Sequence, residues 1–464
     1  MMAAAKRPGV QYRDSPLSKG PTIEAEDVPK DQIRRRSSEK RHSMYATPED
    51  CDMNEGGKAP SEPAAPIYGE LLVLGTNGCL PCPAISSKMS NYFQLKKQPK
   101  ATGISPIIKE PGNADSLLRK STHTVAVVMN RPGSGAAITE YGHDPNTDMF
   151  QIGRSADSAI DLVVVEMVAM ADGTKAYKSN STVSRYACRI QCERAPPYTA
   201  RLYAAAFDTH SKIHLSAMAP TWSQFSGEYD GLTTNGVAFM RPTGVFESGV
   251  SPGEWREVTV MGNVRKLRAQ RSSRTPGDPV PEETNILTDG CLIDLCGVTL
   301  MWRTAMGLEH GPSDTIMRER RQALNEKAPQ CPVNFLTLHF RSQSAASTEE
   351  SLREPWAYLK CGHIYSHHDW KAGSEENYTH RTCPMCLVPS PYIRLELGQE
   401  RGFFIDNGEL THSFMPCGHV TTEKTTQYWK KVKIPHMATE WVPRCPFCSF
   451  PLDPTTPMVK LIFS

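Results

Sequence analysis

The chain has 464 residues, and 52 Lys and Arg against 50 Asp and Glu leave a net charge of +2, so no overall field marks it for nucleic acid or a membrane surface. Hydrophobic residues make up 39% and charged residues 22%, enough apolar material for folded cores, and the length suggests about three domains at roughly 150 residues each. No apolar run reaches the roughly 18 residues that cross a bilayer, and no apolar stretch follows the charged start Met1 to Gly9. The expectation is a soluble, unsecreted, cytoplasmic protein without membrane insertion.

Residues 1–66 are polar, with Pro, Glu, Lys and Ser prominent and no apolar period; they are expected to be disordered. The run Arg34-Arg35-Arg36-Ser37-Ser38 lies there, but short basic runs are common on solvated tails and it carries no assignment. From residue 67 to about 305, short β-rich runs recur: Glu70–Leu74, Thr124–Met129, Ile160–Val165, Ala187–Cys192, Arg201–Phe207, Glu257–Met261 and Leu292–Trp302. Gly, Pro, Asn and Asp separate them, and the absence of interleaved helical patterns predicts a β-sandwich or barrel. Cys188, Ile190 and Cys192 alternate with Arg189, Gln191 and Glu193, the pattern of a half-buried strand. The polar stretches Ala171–Ser181 and Arg265–Glu283 read as insertions or long loops.

Residues 306–330 should link two domains by a helix, capped by Ser313, carrying Ile316, Met317, Ala323 and Leu324, and stopping before Pro329. In residues 331–464 Cys, His, Pro and Trp become dense. Of the 14 cysteines, those between Cys361 and Cys448 alternate with histidines as metal ligands do, whereas a disulfide scaffold would be a short secreted chain.

That last part contains a repeat: Cys361-Gly362-His363 followed by Cys383-Pro384-Met385-Cys386, then Cys417-Gly418-His419 followed by Cys445-Pro446-Phe447-Cys448. Zinc takes four N/S ligands tetrahedrally, and ligands one or two residues apart are presented by one tight turn. Gly362 and Gly418 permit that turn, and Trp370 and Trp429 supply apolar cover. Two structural Zn²⁺ ions are therefore expected. Sequential pairing gives Cys361, His363, Cys383 and Cys386 at one site and Cys417, His419, Cys445 and Cys448 at the other. Interleaved pairing gives one mixed and one all-cysteine site; the duplicated order favours the sequential form. All positions are filled by protein, so the metal folds the domain and leaves no vacancy for hydrolytic chemistry. Loss of a ligand such as His363 or Cys386 is expected to destabilise this part while leaving the β part intact. Cys79 and Cys82 form a CxxC with no second pair near them, and His367 and His368 have no assignment.

The order of these motifs resembles the atypical RING domain of Pellino proteins. Upstream, Phe150-Gln151-Ile152-Gly153-Arg154-Ser155, Ser184-Arg185-Tyr186-Ala187-Cys188-Arg189, Asp230 to Gly236, Ile293 to Gly297 and Leu300 to Arg303 resemble that family's forkhead-associated (FHA) domain. The resemblance runs from about Tyr68 to Ser464. It implies a mainly β chain: an FHA-like β-sandwich with an inserted wing over residues 67–305, then a small zinc-stabilised α+β RING-like domain over 331–464. It also implies a RING-type E3 ubiquitin ligase that docks phosphorylated Pelle or interleukin-receptor-associated-type kinases of Toll signalling in innate immunity. Its other partners would be ubiquitin and a ubiquitin-conjugating enzyme.

FHA domains bind phosphothreonine through loops at one end of the sandwich, and the matching positions are Arg154, Ser155, Ser184, Arg185, Thr234 and Asn235. Arg154 would offer a charged fork to phosphate, Ser155 and Ser184 hydroxyls, and Asn235 a hold on peptide backbone. The pattern departs at Ala187, where the wider superfamily has a structural His. As bare dipeptides, Gly-Arg and Asn-Gly are ordinary turn chemistry.

Three functions compete: a ubiquitin ligase, a non-catalytic phosphopeptide-dependent scaffold, and a zinc-containing nucleic-acid binder. The last should concentrate Lys and Arg on the metal domain. Instead Glu375, Glu376, Asp406, Glu409 and Glu440 are interspersed there and Lys430-Lys431-Val432-Lys433 is the sole basic cluster, so no nucleic acid is expected. With the repeat's cysteines committed to zinc, no nucleophile is left in it, no covalent ubiquitin intermediate is expected, and catalysis would rest on orientation of the charged conjugating enzyme.

Overall fold

Leu71-Leu72-Val73-Leu74 is an uninterrupted apolar run inside a strand, which makes sense only where both faces of a sheet are covered. In the computed structural model of the chain, Ile67–Thr76 is such a strand. Leu71 and, less deeply, Val73 pack into one core; Leu72 and Leu74 pack into another. The structure describes residues 65–76, 92–107, 121–128, 136–164, 167–169, 175–177, 181–224, 228–327, 329–341, 352–368, 380–398, 402–436 and 440–463. The polar head (residues 1–66 as read from sequence), Cys79, Cys82, Trp370, Glu375 and Glu376 lie outside the described residues, apart from Ala65 and Pro66.

The strand Ile67–Thr76 belongs to a seven-stranded sheet, in the order Val264–Lys266, Trp255–Val258, Ala238–Met240, Leu292–Asp294, Val298–Thr304, Ile67–Thr76, Tyr92–Lys96. All its pairings are antiparallel. Facing it are two four-stranded sheets. One carries Cys188–Glu193 between Ala200–Ala204 and Thr147–Gly153; the other is built around His123–Val128 and Ala136–Asp144. The first core lies between the layers and contains Ile152, Cys188, Ile190, Leu202, Phe239, Ile293, Leu300 and Trp302. Of the sandwich or barrel that the strand spacing allowed, the mainly β sandwich implied by the family resemblance is present.

Two local expectations are corrected. Leu292–Trp302 is a hairpin of two strands, because Cys296 and Gly297 turn the chain at φ 62° and 147°. Cys188–Glu193 is buried on both faces except at Glu193. Its Arg189 is 1% exposed, held by Nη1 donating to Ala204 O and Ala205 O and Nη2 to Val260 O, each at 2.9 Å. The guanidinium also lies over the rings of Tyr203 and Phe207. Both terminal nitrogens are satisfied although Nε has no hydrogen-bond partner, and a buried charge is tolerated where most of its donors are engaged in this way, so polarity along that strand marks an internal hydrogen-bonding post and not a solvent face.

Ser313 caps the helix Asp314–Glu326 by accepting from Ile316 N, and Met317 and Leu324 are its buried residues. Beyond it, two four-stranded sheets, the helix Glu423–Trp429 and the hairpin Lys433–His436 with Glu440–Pro443 make a small α+β region. This region does not stand apart from the sandwich, since Pro63–Ser464 is one compact unit. Leu72, Leu74, Met240, Leu292 and Met301 from the sandwich share a core with Phe403, Phe404, Phe414, Tyr428, Trp429 and Phe447. Polar contacts pin the junction: Arg303 Nη1 donates to Gly402 O and Phe403 O at 2.7 and 2.5 Å, Ser449 Oγ to Leu74 O at 2.9 Å, and Trp255 Nε1 to Lys433 O at 2.8 Å. No helix among the described residues is long and apolar enough to cross a membrane.

Candidate metal centres and phosphate-binding loops

The eight repeat residues fall into two groups, Cys361, His363, Cys383, Cys386 and Cys417, His419, Cys445, Cys448, with the four potential ligand atoms of each group within 4.8 Å of one another. This is the sequential arrangement. Each group is made by two turns. In the first type the residue three before the cysteine accepts from the glycine N–H: Gly362 N to Tyr358 O at 2.7 Å and Gly418 N to Phe414 O at 2.9 Å. Both glycines sit at φ 76° and 79°, the left-handed region that side chains disfavour. In the second type, Leu387 N donates to Cys383 O and Ser449 N to Cys445 O, both at 2.9 Å, while Cys383 N and Cys445 N donate back to Val388 O and Phe450 O.

A third copy of the second turn escaped the sequence reading. Cys331 N donates to Leu336 O and Phe335 N to Cys331 O, each at 2.9 Å, and Phe335, Leu387 and Ser449 share φ of 57–59°. Cys331-Pro332-Val333-Asn334 carries Asn334 where the other two have a second cysteine, and Asn334 Nδ2 donates to Ser366 Oγ at 2.5 Å. A hydrogen bond thus closes the turn that a metal would close elsewhere. The Cys-Pro-x-x spacing was the signal that could have found it.

The donor sets fit zinc. Cys383 Sγ and His363 Nδ1 are 3.6 Å apart, close to the edge of about 3.5 Å in a tetrahedron with Zn–S near 2.3 Å and Zn–N near 2.0 Å. In the second group, His419 Nδ1 is buried without a hydrogen-bond partner while its Nε2 lies 3.7 Å from Glu396 Oε2. A ligating imidazole commonly has such an arrangement, one nitrogen for metal and the other near a carboxylate. Burial pushes the Cys361 thiol up to about 12 and the Cys445 thiol well above its ordinary range, while Cys383, against its burial, and Cys448 are pulled down by hydrogen bonds from neighbouring groups, so each cluster has sulfurs that resist ionising unaided beside one that does not. A bound divalent cation would supply the charge that favours thiolate. His367 and His368 lie outside both groups, among the rings of Trp356, Tyr358, Tyr365 and Tyr392. Trp429 is fully buried in the shared core.

At one end of the sandwich, Gly153 ends a strand so close to the next loop that a Cβ there would meet Arg185 O at 1.9 Å. The approach lets Arg154 N and Ser155 N donate to Ser184 O and Arg185 O, both at 3.2 Å. Arg154 Nε donates to Val183 O at 2.8 Å, anchoring an otherwise exposed guanidinium. Asn235 joins the same strip through Nδ2 to Thr182 O at 2.6 Å, with Thr234 exposed beside it and Arg185 exposed across from it. The Ser155 hydroxyl is engaged by Asp157 Oδ2 at 2.7 Å, which also accepts from Tyr186 OH at 2.6 Å. Ala187, in place of the superfamily's histidine, is 3% exposed and packs in the sandwich core.

A family model described as "Pellino, FHA domain" matches residues 59–320 and one described as "Pellino, RING domain" matches residues 324–464. The chain is 44% identical over 401 residues to the human "E3 ubiquitin-protein ligase pellino homolog 2", covering 85% of this chain and 94% of that one. It is 43% identical over 400 residues to the mouse "E3 ubiquitin-protein ligase pellino homolog 3", covering 85% and 89%. It is 42% identical over 414 residues to the fruit-fly "Protein pellino", covering 88% and 95%. With both family domains in order and these relatives aligned along most of its length, the chain belongs to the Pellino family of RING-type E3 ubiquitin ligases.

Proposed function

We propose that this E3 ubiquitin transferase uses its sandwich to dock phosphothreonine-bearing kinases of the Pelle or interleukin-receptor-associated type, acting in the cytoplasm in Toll-type innate immune signalling, and passes ubiquitin to them from a conjugating enzyme. The observation that carries the reading is the single strip formed by Arg154, Ser184, Arg185 and Asn235, on the same compact unit as two metal-ready clusters. Arg154 and Arg185 supply charge for a phosphate, Ser184 a hydroxyl, and Thr234 and Asn235 contacts to peptide backbone. Ser155 reaches phosphate only by turning from Asp157.

The eight cluster residues hold two zinc ions in this reading, and the ions act by fixing the fold. Transfer is direct from the conjugating enzyme's thioester to lysine. Support comes from the remaining cysteines among the described residues, Cys188, Cys192, Cys291, Cys296 and Cys331, which are all buried. Burial pushes Cys188 and Cys291 up to about 12, far from the thiolate a covalent intermediate requires. What remains for the chain is orientation of two reactants, an effect large enough to carry catalysis.

The test is a reconstitution with activating enzyme, a panel of conjugating enzymes, ubiquitin, ATP, this protein and a candidate kinase, either phosphorylated or treated with phosphatase. The phosphorylated kinase should be modified several-fold faster. Equal modification of both forms would overturn the docking reading.

A further inference from the structure

The candidate phosphate-binding loops are closed by a ring of polar contacts that ends against the zinc-binding region. Asn235 Nδ2 donates to Thr182 O at 2.6 Å, and the Thr182 hydroxyl donates to Cys296 O. Cys296 N donates to Asp294 Oδ2 at 3.0 Å, and Asp294 pairs with the Arg271 guanidinium. Arg271 Nη1 completes the ring by donating to Asn235 O at 3.5 Å. Arg271 itself is only 12% exposed, because the Trp441 ring of the hairpin Lys433–His436 with Glu440–Pro443 lies 5.6 Å from its guanidinium carbon. Trp441 in turn packs edge-on against Trp255 of the sandwich, with ring centroids 5.1 Å apart, and Trp255 Nε1 donates to Lys433 O in the same hairpin.

The hub is therefore shared. One guanidinium holds the Asn235 loop by its carbonyl and, through Asp294, holds the strained Cys296-Gly297 turn that receives Thr182. Its open face is covered by an aromatic ring from the ubiquitin-transfer half, in a cation–π arrangement that weakens if the ring withdraws. None of Arg271, Asp294 or Trp441 belongs to the loops that would meet a peptide.

We propose that Arg271 is a positioning residue for phosphopeptide recognition and that Trp441, by seating it, makes the sandwich's affinity for phosphothreonine depend on the docked zinc-binding region. The inference rests on the phosphopeptide reading above and adds the residue that orients its Asn235 loop. Linkage makes the effect reciprocal: if the seated hairpin tightens peptide binding, bound peptide must hold the hairpin in place by the same factor.

The experiment uses the full chain loaded with zinc, a phosphothreonine peptide selected on this chain from a random library, and its unphosphorylated twin. Calorimetry compares the parent with Arg271→Lys, Trp441→Leu and Arg154→Ala. Arg271→Lys keeps the charge but loses the fork, and Trp441→Leu keeps apolar bulk but loses the ring; each should weaken phosphopeptide binding about fivefold or more. In parent protein, amide exchange over residues 433–443 should slow on adding the phosphopeptide and stay unchanged with the twin, a response that a merely structural Arg271 would not produce and one that needs no variant to fold. If Arg154→Ala weakens binding while both hub variants bind as the parent does and the hairpin does not respond, the inference is overturned and the phosphopeptide reading survives. If the parent binds both peptides equally, both fall.

Discussion

The two cysteine–histidine clusters are built from the same pair of turns, yet their surroundings differ. The first, with Cys361 and Cys383, sits in a core of Leu338, Phe340, Tyr358, Tyr365 and Tyr392 that, among the described residues, draws nothing from the sandwich strands. The second, with Cys417, Cys445 and Cys448, sits in the core that also takes Leu72, Leu74, Met240, Leu292 and Met301 from the sandwich. A repeat in sequence therefore need not be a repeat in role: the first cluster organises a lobe, and the second organises a lobe and its junction with the sandwich. A metal held by the second cluster would bear on how that lobe stands against the sandwich as well as on whether it folds.

The largest effect that would break this comparison is metal removal. Structural zinc binding is worth roughly 10–16 kcal/mol in small zinc-finger peptides, so a strong chelator should unfold both lobes and end ubiquitin transfer, with metal analysis giving two zinc ions per active chain. Single-ligand changes sharpen it. Cys386→Ala and Cys448→Ala should each lose one ion and abolish chain formation, but Cys448→Ala alone should also lower the melting temperature of the sandwich, read by the near-ultraviolet signal of its aromatics. A smaller loss is expected at the junction: Leu72→Ala or Leu74→Ala should cost about 2–5 kcal/mol, the range for truncating buried leucines, and should raise protease sensitivity in residues 402–450. Smallest is the peptide face, where Arg154→Ala should weaken phosphothreonine peptide binding about ten- to a hundredfold in calorimetry, as loss of hydrogen bonds to a charged group does.

Much of this was legible in the sequence because it is written in local spacing. The ligand repeat specifies its own turns, the capping Ser313 precedes its helix, and the recurring short strands narrow the first part to a sandwich or barrel. The shared core was not read from the sequence: Glu70–Leu74 stood only as a β-rich run, and periodicity tells that a face is buried but not by what. Arg189 was misread as solvent-facing because a charged residue alternating with apolar ones looks the same whether it meets water or three carbonyls. Arg271 gave no signal, lying in a stretch that reads as an exposed loop, and only long-range packing on Trp441 and pairing with Asp294 bury it. Asn334 hid the third turn by replacing the cysteine that the pattern demands.

The different roles of the two clusters are separated best by hydrogen exchange on Cys386→Ala and Cys448→Ala proteins beside the parent, read over residues 68–76 and 292–303, the sandwich strands that carry the shared core. These strands should keep parent-like protection in Cys386→Ala and exchange markedly faster in Cys448→Ala. Equal exchange in the two variants, or faster exchange in Cys386→Ala, would contradict that difference in role.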